Sequence, residues 1–304
     1  MDLYLIIVII MLALAVSGLV VGVANDAVNF LNSALGSKAA PRYVIMTVAS
    51  VGIIVGAITS NGMMEVARSG VFHPEMFTFA EVMLLFLAVM FTNVILLDIF
   101  NTLGMPTSTT VSLVFGLLGA AVGISIFKIA NDALVTLPDG SLATMADMIN
   151  TGNAMAIIGG ILISVVIAFV CGTVVMYITR LIFSFRYQSK LKSYGAVWCG
   201  IALTAISYFA VFKGLKGTQV IPADWMSWME GHIPMMLGGL LVGWSLIMSI
   251  LSMLKVNILR ITVLAGTFSL ALAFAGNDLV NFIGVFVAGV DAYDIVRTTG
   301  DTNM

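Results

Sequence analysis

The sequence predicts an all-α polytopic membrane protein built from inverted-topology repeats, with broken helices and a hairpin at 82–127. Three observations carry this reading. Of 304 residues, 61% are hydrophobic and only 9% are charged, with a mean hydropathy of +1.12, whereas a soluble domain carries about 25% charged residues. The uncharged stretches are long, and a helix needs about 20 apolar residues to cross the hydrocarbon. A polar pattern, Asn-Asp-x-Val-Asn-Phe, occurs twice, each time within an apolar run. A soluble enzyme, a nucleic-acid binder and a disordered chain are excluded together, since none could keep this much apolar surface in water. The net charge of −2 gives no reason to expect a polyanionic partner. Cys171 and Cys199 both lie in apolar runs, without disulfide or metal-site spacing. The opening Met1-Asp2-Leu3 has no basic segment, so the first apolar run is read as a retained span.

Charges mark the spans. Uncharged runs cover 3–25, 43–64, 82–97, 99–127, 148–179, 193–212, 231–254, 261–277 and 279–290. The stretch 82–127 is broken only by Asp98 and is long enough to enter the membrane and return, as two crossings or as one re-entrant loop. Loop charges alternate. Lys38 with Arg42 gives +2, the loop of Arg180, Arg186, Lys190 and Lys192 gives +4, and Lys255 with Arg260 gives +2. The loop charges at 65–81 and 128–147 each sum to −2, and those at 213–230 to zero. The positive-inside rule then places 38–42, 180–192 and 255–260 in the cytoplasm and the N-terminus outside. The expected organisation is one transmembrane domain over 1–304. Repeat one covers about 1–150, linking spans about 151–255, and the start of an inverted repeat two about 256–304.

The repeat itself reads Val23-Ala24-Asn25-Asp26-Ala27-Val28-Asn29-Phe30 and Ala275-Gly276-Asn277-Asp278-Leu279-Val280-Asn281-Phe282. Asp26 is the only charge between Asp2 and Lys38, and Asp278 the only one between Arg260 and Asp291. By the loop charges the two copies run in opposite directions across the membrane. Opposed repeats with a polar break in an apolar helix are the pattern of secondary transporters, with the substrate near the midplane. Ionisable residues inside spans are functional candidates by default, and two matched copies argue against a purely structural hydrogen bond. Residues 3–36 as one straight helix would extend about 50 Å, well beyond the roughly 30 Å hydrocarbon core. A break near Asn25-Asp26 is therefore expected.

The second constellation is Asn101-Thr102-Leu103-Gly104-Met105-Pro106-Thr107-Ser108-Thr109-Thr110, in the middle of the 99–127 run. Gly104 and Pro106 can end one helix and begin another. A helix starting near Thr107 would aim free N–H groups and its positive dipole end at the turn, where an anion is favoured. The four consecutive hydroxyls of Thr107, Ser108, Thr109 and Thr110 add donors without charge. Ordinary N-capping by Ser or Thr is the competing explanation. Asp98 is either a third buried acid or the edge of the hairpin.

No Lys or Arg lies within ten residues of Asp26, Asp278 or the 106–110 turn. An anion beside two carboxylates in a low-dielectric site is strongly disfavoured, so bound cations are the missing charge. Carboxylate, amide and carbonyl oxygens suit a hard alkali cation such as Na+, and protonation of the Asp pair is the alternative.

Two inverted copies of Asn-Asp-x-x-Asn with Gly-x-Pro-x-Ser-Thr-Thr between them resemble the inorganic phosphate transporter (PiT) family, along the whole chain. The resemblance implies inverted repeats with re-entrant hairpins, an outside N-terminus in the plasma (inner) membrane, and cation-coupled uptake of inorganic phosphate by alternating access. It implies that Thr107, Ser108, Thr109, Thr110, Asn25 and Asn277 bind phosphate. It implies that Asp26, Asn29, Asp278 and Asn281 bind the coupling cation, Na+ or H+, with no other metal or cofactor. The expected partners are phosphate, the cation and the bilayer, with a homo-oligomer compatible and nucleic acid excluded. Family members often carry His after Ser-Thr-Thr, and here Val111 follows Thr110, which removes a His-based proton role there. The first Asp precedes Pro106 by 80 residues, so a second turn would fall near residue 358, beyond Met304. The expectation is a chain lacking the second hairpin, which would not transport alone.

An enzyme is disfavoured. His73 and His232 sit near span ends, no base is placed beside Ser108, and a Ser-Lys hydrolase would need a Lys in a span. A channel explains polar breaks but not a matched Asp pair. A sulfate carrier of the same fold and a proton-coupled phosphate or metal-phosphate symporter remain alternatives.

Overall fold

The computed structural model describes residues 3–59, 70–133, 137, 141–184, 187–215 and 222–300. The regular elements among them are helices: α1 (Leu3–Gly36), α2 (Arg42–Thr59), α3 (Phe79–Thr102), α4 (Thr109–Ala130), the short α5 (Met145–Met148), α6 (Thr151–Phe183), α7 (Tyr187–Phe209), α8 (Ala223–Gly231), α9 (Ile233–Met253), α10 (Ile258–Asn277) and α11 (Leu279–Thr299). Counting α10–α11 as one, eight segments are long and apolar enough to cross a membrane. The chain is a multi-pass membrane protein. Along α6, residues such as Leu162, Val166 and Phe169 are exposed. That would be untenable in water and is the favourable state against lipid.

The chain divides into two compact bodies. The first comprises Met1–Ala27, Gly62–Ile163 and Asp278–Met304. Its centre is the α3–α4 hairpin, which fulfils the expectation at 82–127. Thr78 starts α3 in a capping box with Glu81, each side chain accepting the other's backbone N–H. α3 stops in a Schellman turn: Gly104 N–H donates to Asn101 O and Met105 N–H to Phe100 O, with Gly104 at φ +67°. Only Gly adopts that backbone without penalty. Ser108 then caps α4 by accepting Val111 N–H at 3.3 Å. α11 packs against α3 and α4, and Gly289 of α11 lies so close to Met11 and Phe86 that a methyl group there would collide with Met11. Met11, Phe86, Leu113, Leu117 and Val285 share this core.

The second body comprises Val28–Asn61 and Ser164–Asn277. Gly52 and Gly56 of α2 face the carbonyls of Phe268 and Leu272 of α10, where a Cβ would strike backbone. α7 meets α9 at Gly200 and Ser245, and Cys199, Leu203, Met248 and Ile258 are buried together.

Two expectations are corrected. The helix is not broken near Asn25-Asp26, because α1 runs through them without interruption. The break occurs in the second copy, where Asp278 separates α10 from α11. One of the three differences between the copies is Ala24 against Gly276, and Gly is about 1 kcal/mol worse than Ala inside a helix. The excess length of α1 is of a kind that tilting or protruding ends accommodate. Lys128, counted as a loop charge, instead lies in the last turn of α4 and is 2% exposed. It donates to Glu81 Oε2 at 2.8 Å and to Met76 O at 3.1 Å, and lies over the Phe77 ring. A Lys therefore does occupy the end of a span, but its ammonium is engaged there, and it is about 30 Å from Ser108 along α4.

The ion pair ties the start of α3 to the end of α4. Lys128→Met should lower the thermal unfolding temperature in detergent, by roughly 1–3 kcal/mol of stability, because Glu81 loses its partner in a half-buried place. The double change with Glu81→Gln should recover part of that loss, and additive losses would show that the pair is not coupled.

Candidate functional site

The residues singled out by the repeat and by the turn meet inside the first body. Asn25 comes from the middle of α1 and is buried. Its Nδ2 donates to Asn101 Oδ1 at 2.9 Å and to Met105 O at 3.1 Å, and its Oδ1 accepts Thr107 N–H at 3.0 Å. Asn101 Nδ2 in turn donates to Val21 O at 2.8 Å. These four bonds hold the 103–108 turn against α1. They also explain why α1 need not unwind, since the amide finds its partners across the body and not in its own backbone.

The second group gathers at the break between α10 and α11. Thr110 Oγ1 donates to Asp278 Oδ1 at 3.2 Å, and Thr109 Oγ1 to the same oxygen at 3.5 Å. Asn281 Nδ2 donates to Thr110 Oγ1 at 2.9 Å, with longer contacts of 3.4 Å to Thr109 Oγ1 and to Asp278 Oδ1. Asn281 is 2% exposed, and its Oδ1 is a buried acceptor with no hydrogen-bond donor among the described residues. Asp26 is 5% exposed and feels the charge of Asp278. Two acids therefore share a low-dielectric space. The Lys128 ammonium, at the far end of α4, is engaged by Glu81.

This arrangement offers carboxylate and amide oxygens for a hard cation and hydroxyl protons for an anion. The hydroxyl protons of Thr109 and Thr110 are turned to Asp278, and Ser108 caps its own helix. Thr107 contributes its backbone N–H to Asn25. Asn29 belongs to the second body and is exposed on α1, and the side chain of Asn277 lies outside the described residues. Asp98 is exposed and is the edge of the hairpin rather than a third buried acid.

Sequence reading gave Asn101 no role of its own and did not single out Asn93. Asn101 locks the turn, and Asn93, 7% exposed, accepts Ser112 Oγ at 2.6 Å. The available signal was an amide at each of two places in the otherwise apolar α3, eight positions apart and so near one face of a helix.

The model of the phosphate transporter family matches residues 22–303. The chain is 25% identical over 200 residues to a protein of Thermococcus kodakarensis described as "Putative phosphate permease", a match over 65% of this chain and 45% of that one. The chain thus spans about half the length of that curated relative. Its fold resembles a solved structure titled "The sodium-dependent phosphate transporter", with a TM-score of 0.67 at 18% identity, covering 97% of this chain and 68% of that one.

The Asn25 clamp makes a prediction of its own. Asn25→Ala should speed amide hydrogen exchange across 103–108 by roughly tenfold or more, the effect of losing buried hydrogen bonds of about 1–3 kcal/mol. The interiors of α3 and α4 should exchange as before. Unchanged exchange in the turn would show that Asn25 does not hold it.

Proposed function

The chain belongs to the phosphate transporter family, and on that premise we propose that it is a secondary active transporter coupling Na+ entry to uptake of inorganic phosphate across the plasma (inner) membrane. The observation that carries the proposal is the Asp278 carboxylate, which draws in the hydroxyls of Thr109 and Thr110 beside a buried acceptor, Asn281 Oδ1.

The order of events follows from charge. Without a cation, the Thr109 and Thr110 hydroxyls stabilise Asp278, and an arriving anion meets negative charge with its donors already engaged. A unit cation about 5 Å from a carboxylate, at an effective dielectric of about 20, contributes on the order of 3 kcal/mol. Na+ held by Asp26, Asp278 and Asn281 Oδ1 offsets the acids and frees the two hydroxyls to rotate to phosphate oxygens. Thr107 and Ser108 complete the anion side, and Asn25 keeps the turn at a fixed distance from the cation. Cation binding thus precedes anion binding, and alternating access moves the opposed repeats around the filled site.

Phosphate is favoured over sulfate by the same acceptors. A phosphate that keeps a proton at neutral pH donates a hydrogen bond to a carboxylate oxygen that the cation leaves uncoordinated. Sulfate has no proton to give and would leave that oxygen facing an anion.

In liposomes with an imposed Na+ gradient, using the chain together with whatever further segments the native protein holds, Asp278→Asn should abolish the Na+ dependence of labelled phosphate uptake. Thr110→Val should raise the apparent phosphate constant by roughly 5- to 100-fold, the range set by losing one buried hydrogen bond, and leave the Na+ constant within a few-fold. Sulfate should compete poorly. Retained Na+ dependence in Asp278→Asn, or unchanged phosphate affinity in Thr110→Val, would contradict these roles. The orientation has a separate test. An impermeant thiol reagent added outside intact cells should label a cysteine placed at Leu142 and spare one placed at Ser189, and the reverse pattern would invert the topology.

A further inference from the structure

The corner between α6 and α7, in the second body, holds a cavity of about 380 Å³ lined by Thr179, Arg180, Phe183, Ser184 and Tyr187. Nothing in the proposed transport cycle uses it. Arg180 is the first charged residue after the uncharged run 148–179, so it lies where an apolar span gives way to the headgroup layer. The surroundings fit that depth. Tyr177, Tyr187 and Tyr194 are exposed, and Phe183 stacks edge-on against Trp198 at 5.7 Å. Rings of this kind collect at membrane–water interfaces.

The charge here is of one sign. No acid occurs between Asp147 and Asp224. Among the described residues, the ion pairs involve His73 and Lys128, and Arg180 is in neither. Lys190, one turn along α7 from Tyr187, lies over the Tyr194 ring at 5.9 Å. A guanidinium with free forked donors is suited to a phosphate. The walls beside it are mostly aromatic carbon, against which a free phosphate would shed hydration without return. A ligand with acyl chains would cover them.

We infer that the α6–α7 corner is a binding site for an anionic phospholipid. Arg180 takes the headgroup phosphate, with the Thr179 and Ser184 hydroxyls beside it. Phe183 and Tyr187 receive the glycerol and first methylenes, and Lys190 adds long-range attraction. Selection for an anionic lipid over a zwitterionic one follows from the missing acids, because the corner offers no carboxylate to a choline or ethanolamine head. The positive-inside reading puts the site in the cytoplasmic leaflet, where anionic lipids attract basic segments. The chemistry of the corner does not depend on that reading or on transport.

The test uses the purified full chain in neutral detergent, read by native mass spectrometry and thermal unfolding. Phosphatidylglycerol should be retained and should raise the unfolding temperature, and phosphatidylcholine should do neither. Arg180→Gln with Lys190→Gln should cut phosphatidylglycerol retention by roughly tenfold or more, at about fivefold per basic residue. Both residues are exposed, so the lipid-free unfolding temperature should not change. Lys255→Gln with Arg260→Gln removes the same charge from another basic loop and should leave retention intact. Equal retention of phosphatidylcholine, equal loss in the Lys255 and Arg260 variant, or displacement of bound phosphatidylglycerol by inorganic phosphate would overturn the assignment.

Discussion

Asp278 stands between α10 and α11 inside an apolar span, and among the described residues its hydrogen-bond partners are hydroxyls and an amide, with no ion pair. That imbalance organises the first body. A carboxylate in lipid must be hydrogen-bonded, paired or neutralised, and here hydrogen bonds come from the turn proposed above to carry the anion donors. Thr109 and Thr110 serve two masters, since a proton directed at Asp278 Oδ1 is withheld from an anion. In the proposed cycle a bound cation removes this conflict. Coupling as proposed needs no long pathway, only the rotation of two hydroxyls that cation and anion bias in the same direction, which is a shared free energy between sites.

The turn is held to that task by amide chemistry. The Asn25 side chain grips Asn101, Met105 O and Thr107 N–H at once, so the N-terminus of α4 is fixed relative to α1. The repeated motif carries a second, purely steric use. Phe30 lies four residues after Asp26 and meets Phe274, four residues before Asp278, with ring centroids 5.4 Å apart. Phe282 lies four residues after Asp278 and meets Gly22, four residues before Asp26, so closely that a methyl group on Gly22 would overlap its ring. The offset from the motif Asp is four residues on both sides of both contacts. It gives the final Phe of Asn-Asp-x-Val-Asn-Phe a packing role distinct from the chemistry of its Asn and Asp.

Much of this was legible in the residues. Apolar length and sparse charge fixed the spans, the duplicated motif located Asp26 and Asp278, and Gly104, Pro106 and Ser108 marked the hairpin turn through local rules of backbone geometry. The failures were non-local. Asn101 bonds a residue 76 positions away, and no pattern in an apolar helix announces such a partner. Lys128 looked like a loop charge because its neutralising acid, Glu81, is 47 positions distant. The continuous α1 defeated an argument from length alone, since a long helix can remain whole when its buried polar groups are satisfied by its neighbours.

The central claim is that a cation and the Thr109 and Thr110 hydroxyls compete for the Asp278 carboxylate. The most direct measurement is a pair of high-resolution structures of the native protein, one in Na+ and one in choline, both without phosphate. With Na+, density for an ion should lie between Asp26, Asp278 and Asn281 Oδ1, and the Thr110 Oγ1 to Asp278 Oδ1 contact, 3.2 Å in this structure, should open beyond hydrogen-bonding reach. An ion bound elsewhere, with both threonines still donating to Asp278, would contradict the account.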